Sequence, residues 1–280
     1  MRIILPMAGH GARFRDAGYT VDKPLIEING FTLLEWALTP IPKDWEKILI
    51  VRKDQPGNEI VEVALRSHFS RALNADNIER VLANKLMVVQ LPGSTRGAAM
   101  TVLTAALALP PDEPVACMNC DQWFTTDPDL DKITATAMAC GWDGYILTFG
   151  GKEKPWPGPA WSYAVCDEFG FGQVRQVIEK PKENVSPHAT VGFYWWRRAG
   201  DLVQSICEMI GNRWTVNGEY YLAPSYNVLL GWKSAGPGTS AAMTLPTAAN
   251  VHIVTVREFA GLGTPEQVKS FEQAALVREP

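Results

Sequence analysis

The sequence predicts an α/β fold: a mainly parallel sheet covered on both faces by helices. Three observations carry this. Apolar runs of strand length alternate with segments of helical period. The first of these runs, Arg2–Pro6, leads straight into a turn with glycines at 9 and 11. The chain has 280 residues, 46% of them hydrophobic, enough for one large α/β domain or two small ones. No internal repeat, low-complexity tract or linker interrupts it, so a single domain spanning 1–280 is expected.

The elements follow in order. After strand Arg2–Pro6, the pair Asn29-Gly30 marks a turn. Thr32-Leu-Leu-Glu35 is a capping box that opens a helix through Leu38. Lys47–Arg52 reads as the second strand, and Glu59–Phe69 as a helix with Ile60, Val63, Ala64 and Leu65 turned inward. Lys85–Leu91 is a third strand, Gly97–Leu109 a helix, and Pro114–Met118 a fourth strand ending at Asn119-Cys120-Asp121. The second half is less regular. Gly144–Phe149 reads as a strand and Gly150–Pro159 as a loop. Ser162–Cys166 and Gln173–Glu179 flank Asp167-Glu168-Phe169-Gly170, which is the pattern of an antiparallel hairpin. Thr190–Trp196 is a further apolar strand; helices are expected at Asp201–Ile210 and Glu219–Leu230, and a late strand at Val251–Val256. Thr264-Pro265-Glu266-Gln267 combines a cap, a proline at the first helical position and a capping-box glutamine.

Composition narrows the function classes. A net charge of −4 does not favour general binding to nucleic acid. No charged leader precedes an apolar run, and no stretch is long enough to span a bilayer, so no membrane partner is expected. Five cysteines cannot all pair, which suits a reduced, cytoplasmic protein. Cys117 and Cys120 form a Cys-x-x-Cys, but no further ligands stand at zinc-site spacing, and two small apolar residues at a strand end is the simpler reading. His10, His68, His188 and His252 are scattered, with His10 near the glycine turn.

The glycine turn carries the most chemistry. In Met7-Ala8-Gly9-His10-Gly11-Ala12-Arg13, the glycines let the backbone come close to a ligand with its N–H groups pointing at it. Arg13 adds a planar fork and Lys23, next to Pro24, a point charge. This set suits a triphosphate. It is not a Walker loop, because no Gly-Lys-Ser/Thr run exists. It is not a dinucleotide fingerprint either, because Phe14 stands where the third glycine belongs.

Other residues are ambiguous alone. Asp121, at the end of an apolar strand, is placed to hold Mg²⁺ or to cap the next loop. Gln90-Leu-Pro-Gly93-Ser-Thr-Arg96-Gly97-Ala98-Ala99 reads as a base-contacting loop or as an ordinary strand–helix connection. Glu179-Lys180-Pro181 is by itself the pattern of a solvated surface pair. Trp214–Asn227 reads as an amphipathic helix with an aromatic face.

The residues of the first turn, with Lys23-Pro24, resemble the N-terminal signature of the sugar-1-phosphate nucleotidylyltransferases and their cytidylyltransferase relatives, and the later motifs follow in that family's order. The resemblance implies a three-layer, doubly wound, Rossmann-like nucleotide-diphospho-sugar transferase fold with a small antiparallel extension. Residues up to about 125 would hold the nucleotide and those from about 126 the acceptor. It implies that Arg13, Lys23 and Asp121 are catalytic, with Asp121 on Mg²⁺. Ala8, Gly9, Gly11, Gln90, Gly97 and Ala98 would bind the nucleotide (CTP, UTP or dTTP). Tyr163, Glu179, Lys180, Gly192 and Glu219 would bind a small phosphomonoester, with Lys180 on its phosphate. Glu219 and Asn227 are candidates for a second metal ligand. Trp161-Ser162-Tyr163-Ala164 and the stretch around Tyr220 and Tyr221 are similar to a branch attached to capsule polysaccharide synthesis. That branch includes enzymes that transfer cytidylyl groups to phosphates that are not sugars.

Two positions depart from the family pattern. Thr190 stands where an asparagine is usual, and Phe259–Thr264 lacks the aspartate that precedes the C-terminal Gly-Thr elsewhere. The expected activity joins a nucleoside triphosphate to a sugar 1-phosphate with release of pyrophosphate. The alternatives are CTP-dependent transfer to a phosphate such as phosphocholine or a phosphorylated amino-acid derivative, and a catalytically silent nucleotide-binding protein. A homo-oligomer is left open.

Overall fold

The computed structural model describes residues 1–68, 85–150, 155–167, 172–232 and 249–274. Its centre is a sheet in the order β10-β9-β11-β6-β1-β4-β5. The strands in that order are Val174–Glu179, Ser162–Cys166, His188–Trp196, Val115–Met118, Arg2–Pro6, Glu46–Arg52 and Leu86–Leu91. Strand β8 (Gly144–Gly150) also pairs with β11, and β12 (Val251–Thr255) pairs with β8. The pairs β6/β1, β1/β4, β4/β5 and β8/β12 are parallel. Strand β11 runs against β6, β8 and β9, and the hairpin β9/β10 extends the sheet antiparallel.

Each parallel strand buries both faces, which is why these runs are continuously apolar rather than alternating. In β1, Ile4 points to one core with Ile48, Ile50 and Cys117. Ile3 and Leu5 point to the other with Leu49, Val51 and Ala116. Helices α4 (Ala98–Ala106) and α6 (Ala199–Gly211) supply the first core through Ala99, Val102, Leu202 and Ile206. Helices α2 (Leu33–Leu38), α3 (Gly57–His68) and α5 (Leu130–Ala139) supply the second through Leu34, Ile60 and Ile133. The expected three layers are present. A third, smaller cluster joins the first loop to the chain's end. It contains Phe14 of helix α1 (Ala12–Asp16), Trp36, Trp123, and Val268 and Phe271 of helix α8 (Pro265–Ala274).

Local signals are realised where they are short. Asn29 (φ 52°) and Gly30 (φ 80°) turn the small hairpin β2/β3, Glu27–Ile28 with Phe31–Thr32. The Thr32 side chain accepts from Glu35 N, and Glu35 Oε2 accepts from Thr32 N at 2.7 Å. Two expectations change. Strand β7 (Gln122–Thr125) pairs with β13 (Glu258–Gly261), a ribbon the apolar pattern did not reveal. The helix expected over Glu219–Leu230 is only Ser225–Leu229 (α7). Asn217 and Gly218 (φ 51° and 81°) instead form a tight turn bridging Val216 to Glu219. Pro224, at the N-cap, disfavours helix in the residue before it. Phe69, residues 151–154 of the expected loop and residues 168–170 of the expected hairpin turn lie outside the described residues.

Gly97 stands at the N-cap of α4 with φ 119°, and a Cβ there would meet Tyr220 O at 2.5 Å. Tyr220 N donates to Arg96 O and Ala99 N donates to Tyr220 O, so two distant segments meet backbone to backbone. Gly97→Ala is expected to lower stability by about 2 kcal/mol or more, through positive φ and overlap together. Chemical denaturation measures this; an unchanged midpoint would refute the close approach.

Candidate active site

The carboxyl ends of β1 and β6 lie side by side, and a cavity of about 430 Å³ opens there. In open α/β sheets this edge collects ligands. From β1 the chain passes into the glycine turn. Gly11 adopts the left-handed conformation (φ 60°, ψ 33°) that lets α1 start, and its carbonyl accepts from Phe14 N and Arg15 N. Phe14 is buried, and Gly9, Gly11 and Arg13 line the cavity.

Lys23 enters from a 3-10 turn, Lys23–Leu25, whose φ is preset by Pro24. Its Nζ lies 2.5 Å from Asp121 Oδ2 and 5.5 Å from the Phe14 ring centroid. Asp121 stands three residues beyond β6 and immediately before β7, and its carbonyl accepts from Leu262 N at 2.7 Å. That bond brings the C-terminal segment over the carboxylate: a Cβ on Gly263 would lie 3.1 Å from Asp121 Oδ2. Gln267 Oε1 accepts from Gly263 N and fixes the approach.

The floor is Gly192, at a shift in the pairing of β11 with β8 between Thr190 and Tyr194. Its φ is 81°, and a Cβ would overlap Gln122 Oε1 at 2.3 Å and Asn119 Nδ2 at 2.7 Å. Gln122 Oε1 is buried and has no hydrogen-bond partner among the described residues.

The β9/β10 hairpin brings the next group. Ser162 Oγ donates to Glu179 Oε2. Glu179 is 7% exposed, and burial pushes its carboxyl up to about 7 against the opposing pull of the Ser162 hydrogen bond and of Lys180. Lys180 takes the left-handed conformation (φ 49°), and its N–H donates to Trp161 O. Its Nζ donates to Tyr221 Oη and sits 4.2 Å from that ring's centroid. Burial raises the Tyr221 hydroxyl, as does Glu219, while Arg13 pulls it down, so these groups share one field.

Ten of the anticipated residues therefore line one cavity: Gly9, Gly11, Arg13, Lys23, Ala98, Asp121, Glu179, Lys180, Gly192 and Glu219. Five do not. Ala8 is buried in the core. Gln90 is exposed, beside Gly57. Gly97 packs on Tyr220. Tyr163 is buried and its hydroxyl donates to Gly158 O at 2.7 Å; by strand alternation Ser162 faces the cavity instead. Asn227 is buried, with Oδ1 accepting from Val177 N (2.7 Å) and Nδ2 donating to Val177 O (2.8 Å), which leaves its amide engaged away from the cavity. The site also contains Asn119, Gln122, Thr264 and Gln267, whose arrival depends on pairings far apart in sequence. Among the described residues no three His, Cys, Asp or Glu side chains cluster as a metal cage. Asp121 offers one hard carboxylate beside the glycine turn, a donor that would fit a Mg²⁺ completing its shell with other oxygens. No helix among the described residues is long and apolar enough to cross a membrane.

The sequence model of the nucleotidyl transferase family matches residues 2–208. No curated protein sequence matches the chain. Among solved structures, a nucleoside-diphosphate-sugar pyrophosphorylase from Vibrio cholerae RC9 superposes with a TM-score of 0.71 at 24% identity, over 97% of this chain and 99% of that one. A UDP-glucose pyrophosphorylase complexed with UDP-glucose gives 0.69 at 15% identity, over 98% and 97%. A UDP-glucose pyrophosphorylase from Acinetobacter baumanii gives 0.69 at 15%, over 100% and 94%. At these identities the likeness is one of fold.

Two outcomes follow from the geometry. Asn227→Ala leaves the buried Val177 N–H and C=O without partners and is expected to cost roughly 2–4 kcal/mol in chemical denaturation. The divalent-cation dependence of the protein should not change; a changed dependence would return Asn227 to the site. Glu179, raised to about 7, binds a proton in the folded state over a range where the unfolded carboxyl has lost it. Its stabilising contribution is therefore complete below the ordinary carboxylate range and is lost as pH rises through about 7. Glu179→Gln should flatten the fall of thermal stability over that window; a retained slope would assign it to another group.

Proposed function

The chain belongs to the nucleotidyl transferase family, and from that premise we propose that it joins a nucleoside triphosphate to a sugar 1-phosphate, releasing pyrophosphate. One observation carries the reading. A single cavity gathers the glycine turn with Arg13, the Lys23–Asp121 pair, and Lys180 beside Glu179. These are two cationic stations, one for a triphosphate and one for a second phosphate, with a cation and a carboxylate where the two would meet.

The acceptor's phosphate oxygen attacks the α-phosphorus and pyrophosphate leaves in line. A phosphate monoester is already a competent nucleophile at neutral pH, so the protein's work is positioning and charge stabilisation. The N–H groups of the glycine turn hold the triphosphate, and Arg13 stabilises the departing pyrophosphate. Lys23 neutralises charge near the α-phosphate, and Lys180 orients the acceptor. Asp121 would hold Mg²⁺. When bound, such an ion offsets charge on the phosphate oxygens as the bond breaks.

A second reading has its own support. Trp161 and Tyr221 line the cavity together with the carboxyls of Glu179 and Glu219. Aromatic faces beside carboxyl groups suit a cationic acceptor, such as an amine-bearing phosphomonoester used with CTP.

Pyrophosphate release in Mg²⁺, with each common nucleoside triphosphate crossed against sugar and amine-bearing phosphomonoesters, separates the readings. Release with one triphosphate and one acceptor class supports the corresponding reading. No release from any pair overturns both. In the active pairing, Asp121→Ala and Lys23→Ala are each expected to lower kcat by about 10²-fold or more without loss of fold, as removal of a charge stabiliser does. Near wild-type turnover in either variant would remove that residue from the proposed chemistry.

A further inference from the structure

The outer side of the glycine turn is held by one short corner of chain. Arg52 ends β4, and its side chain is 4% exposed. Its Nη1 donates to Gly9 O at 2.6 Å and to Ala8 O at 3.2 Å, and its Nε donates to Asp54 Oδ1 at 2.8 Å. Gln55, also buried, donates from Nε2 to Met7 O at 3.1 Å and accepts from Arg52 N at Oε1. Three consecutive carbonyls, at Met7, Ala8 and Gly9, are thus tied to the corner Arg52–Gln55.

In a planar trans peptide the N–H points opposite to the C=O. Holding these carbonyls toward the corner therefore turns the N–H groups of Ala8, Gly9 and His10 the other way. Among the described residues, none of those three N–H groups donates to a backbone acceptor. The glycines allow this conformation, but they do not select it from the many others open to them. A Cβ on Gly9 would meet nothing within 4 Å, so packing does not select it either. The buried guanidinium also sets a positive charge behind the turn.

We infer that Arg52 is a positioning residue for the triphosphate: with Gln55 it fixes the glycine turn with its N–H groups presented to phosphate, without itself touching substrate. The inference rests on the transfer reaction proposed above. Lysine cannot replace it fully, because an ammonium lacks the fork that reaches Asp54 and two carbonyls at once.

The test uses the full chain with Arg52→Gln, Arg52→Lys and Gln55→Met. Amide hydrogen exchange is followed over residues 7–13 without substrate, alongside KM for the triphosphate, KM for the acceptor, kcat and Tm. Arg52→Gln should speed exchange in that segment and raise KM for the triphosphate about 10–100-fold, the scale of a misplaced binding element, with the acceptor KM unchanged. Arg52→Lys and Gln55→Met should fall between it and wild type, and they carry the test if Arg52→Gln does not fold. Wild-type exchange with wild-type KM overturns the inference. So does a rise in both KM values in step with a lower Tm, the pattern of general destabilisation. If the wild-type protein transfers nothing, calorimetry with inorganic tripolyphosphate replaces KM. Weaker binding by Arg52→Gln then upholds the brace while the transfer reaction fails, and equal affinity overturns the brace.

Discussion

The site depends on a single bend in β11. This strand runs against its neighbours and joins the parallel half of the sheet to the β9/β10 hairpin. Phe193–Trp196 pair with β6, while Ala189 pairs with Tyr163 of β9. Between them the chain must turn without a side chain, because the space a Cβ would fill at 192 belongs to Asn119 and Gln122. The bend is anchored from both faces: Trp195 stacks on Tyr145 in one core and Trp196 on Tyr226 in the other. The strands β6 and β10, after which Asp121 and Lys180 follow within three residues, are thereby held by core packing. That matters because a site built on rigid elements holds its geometry without a ligand to organise it.

Electrostatics repeats the same economy. Lys23 is paired with Asp121 and Lys180 with the Tyr221 hydroxyl, each partly buried. Their side chains are ordered before a ligand arrives, so binding does not have to freeze two long cations from a disordered start. Glu179 is the counterpart. Burial pushes its carboxyl up to about 7, so near neutral pH it carries only part of a negative charge beside Lys180.

What the sequence made legible was whatever a short window encodes. The capping box at Thr32–Glu35, the Asn29-Gly30 hairpin and the strands with both faces buried are all local. So are the glycine turn and the strand-end aspartate, and they lie where the expected fold needs them. The expected residues that do not line the cavity share another cause. Tyr163 and Ser162 are neighbours on one strand, and which of them faces the cavity depends on the register of β9 against β10 and β11. Gly97 looks like a ligand loop, yet its positive φ answers to Tyr220, more than a hundred residues away. Asn227 looks like a ligand and is a clamp on Val177. The helical period over 219–230 is realised only after Pro224, from Ser225 to Leu229. Arg52 carries no motif: apart from Asp54, its side-chain partners are main-chain carbonyls, which every sequence has.

The C-terminal segment shows how this chain departs from the pattern it resembles. Where an aspartate is usual before Gly-Thr, Gly261-Leu262-Gly263 brings backbone against Asp121, and Gln267 Oε1 holds that backbone by accepting from Gly263 N. The ribbon β7/β13 and the cluster of Trp123, Leu262, Val268 and Phe271 press it into place. A neutral cover has two consequences for Asp121. It adds no second carboxylate to compete for Lys23, whose Nζ lies 2.5 Å from Asp121 Oδ2. It also adds no negative charge to the cavity that Arg13, Lys23 and Lys180 share with Asp121, Glu179 and Glu219. On the proposed reading, the oxygens that complete a Mg²⁺ shell here come from the nucleotide and from water rather than from the protein, which is the usual habit of that ion. On that reading, part of the charge balance at Asp121 comes from the substrate rather than from the chain.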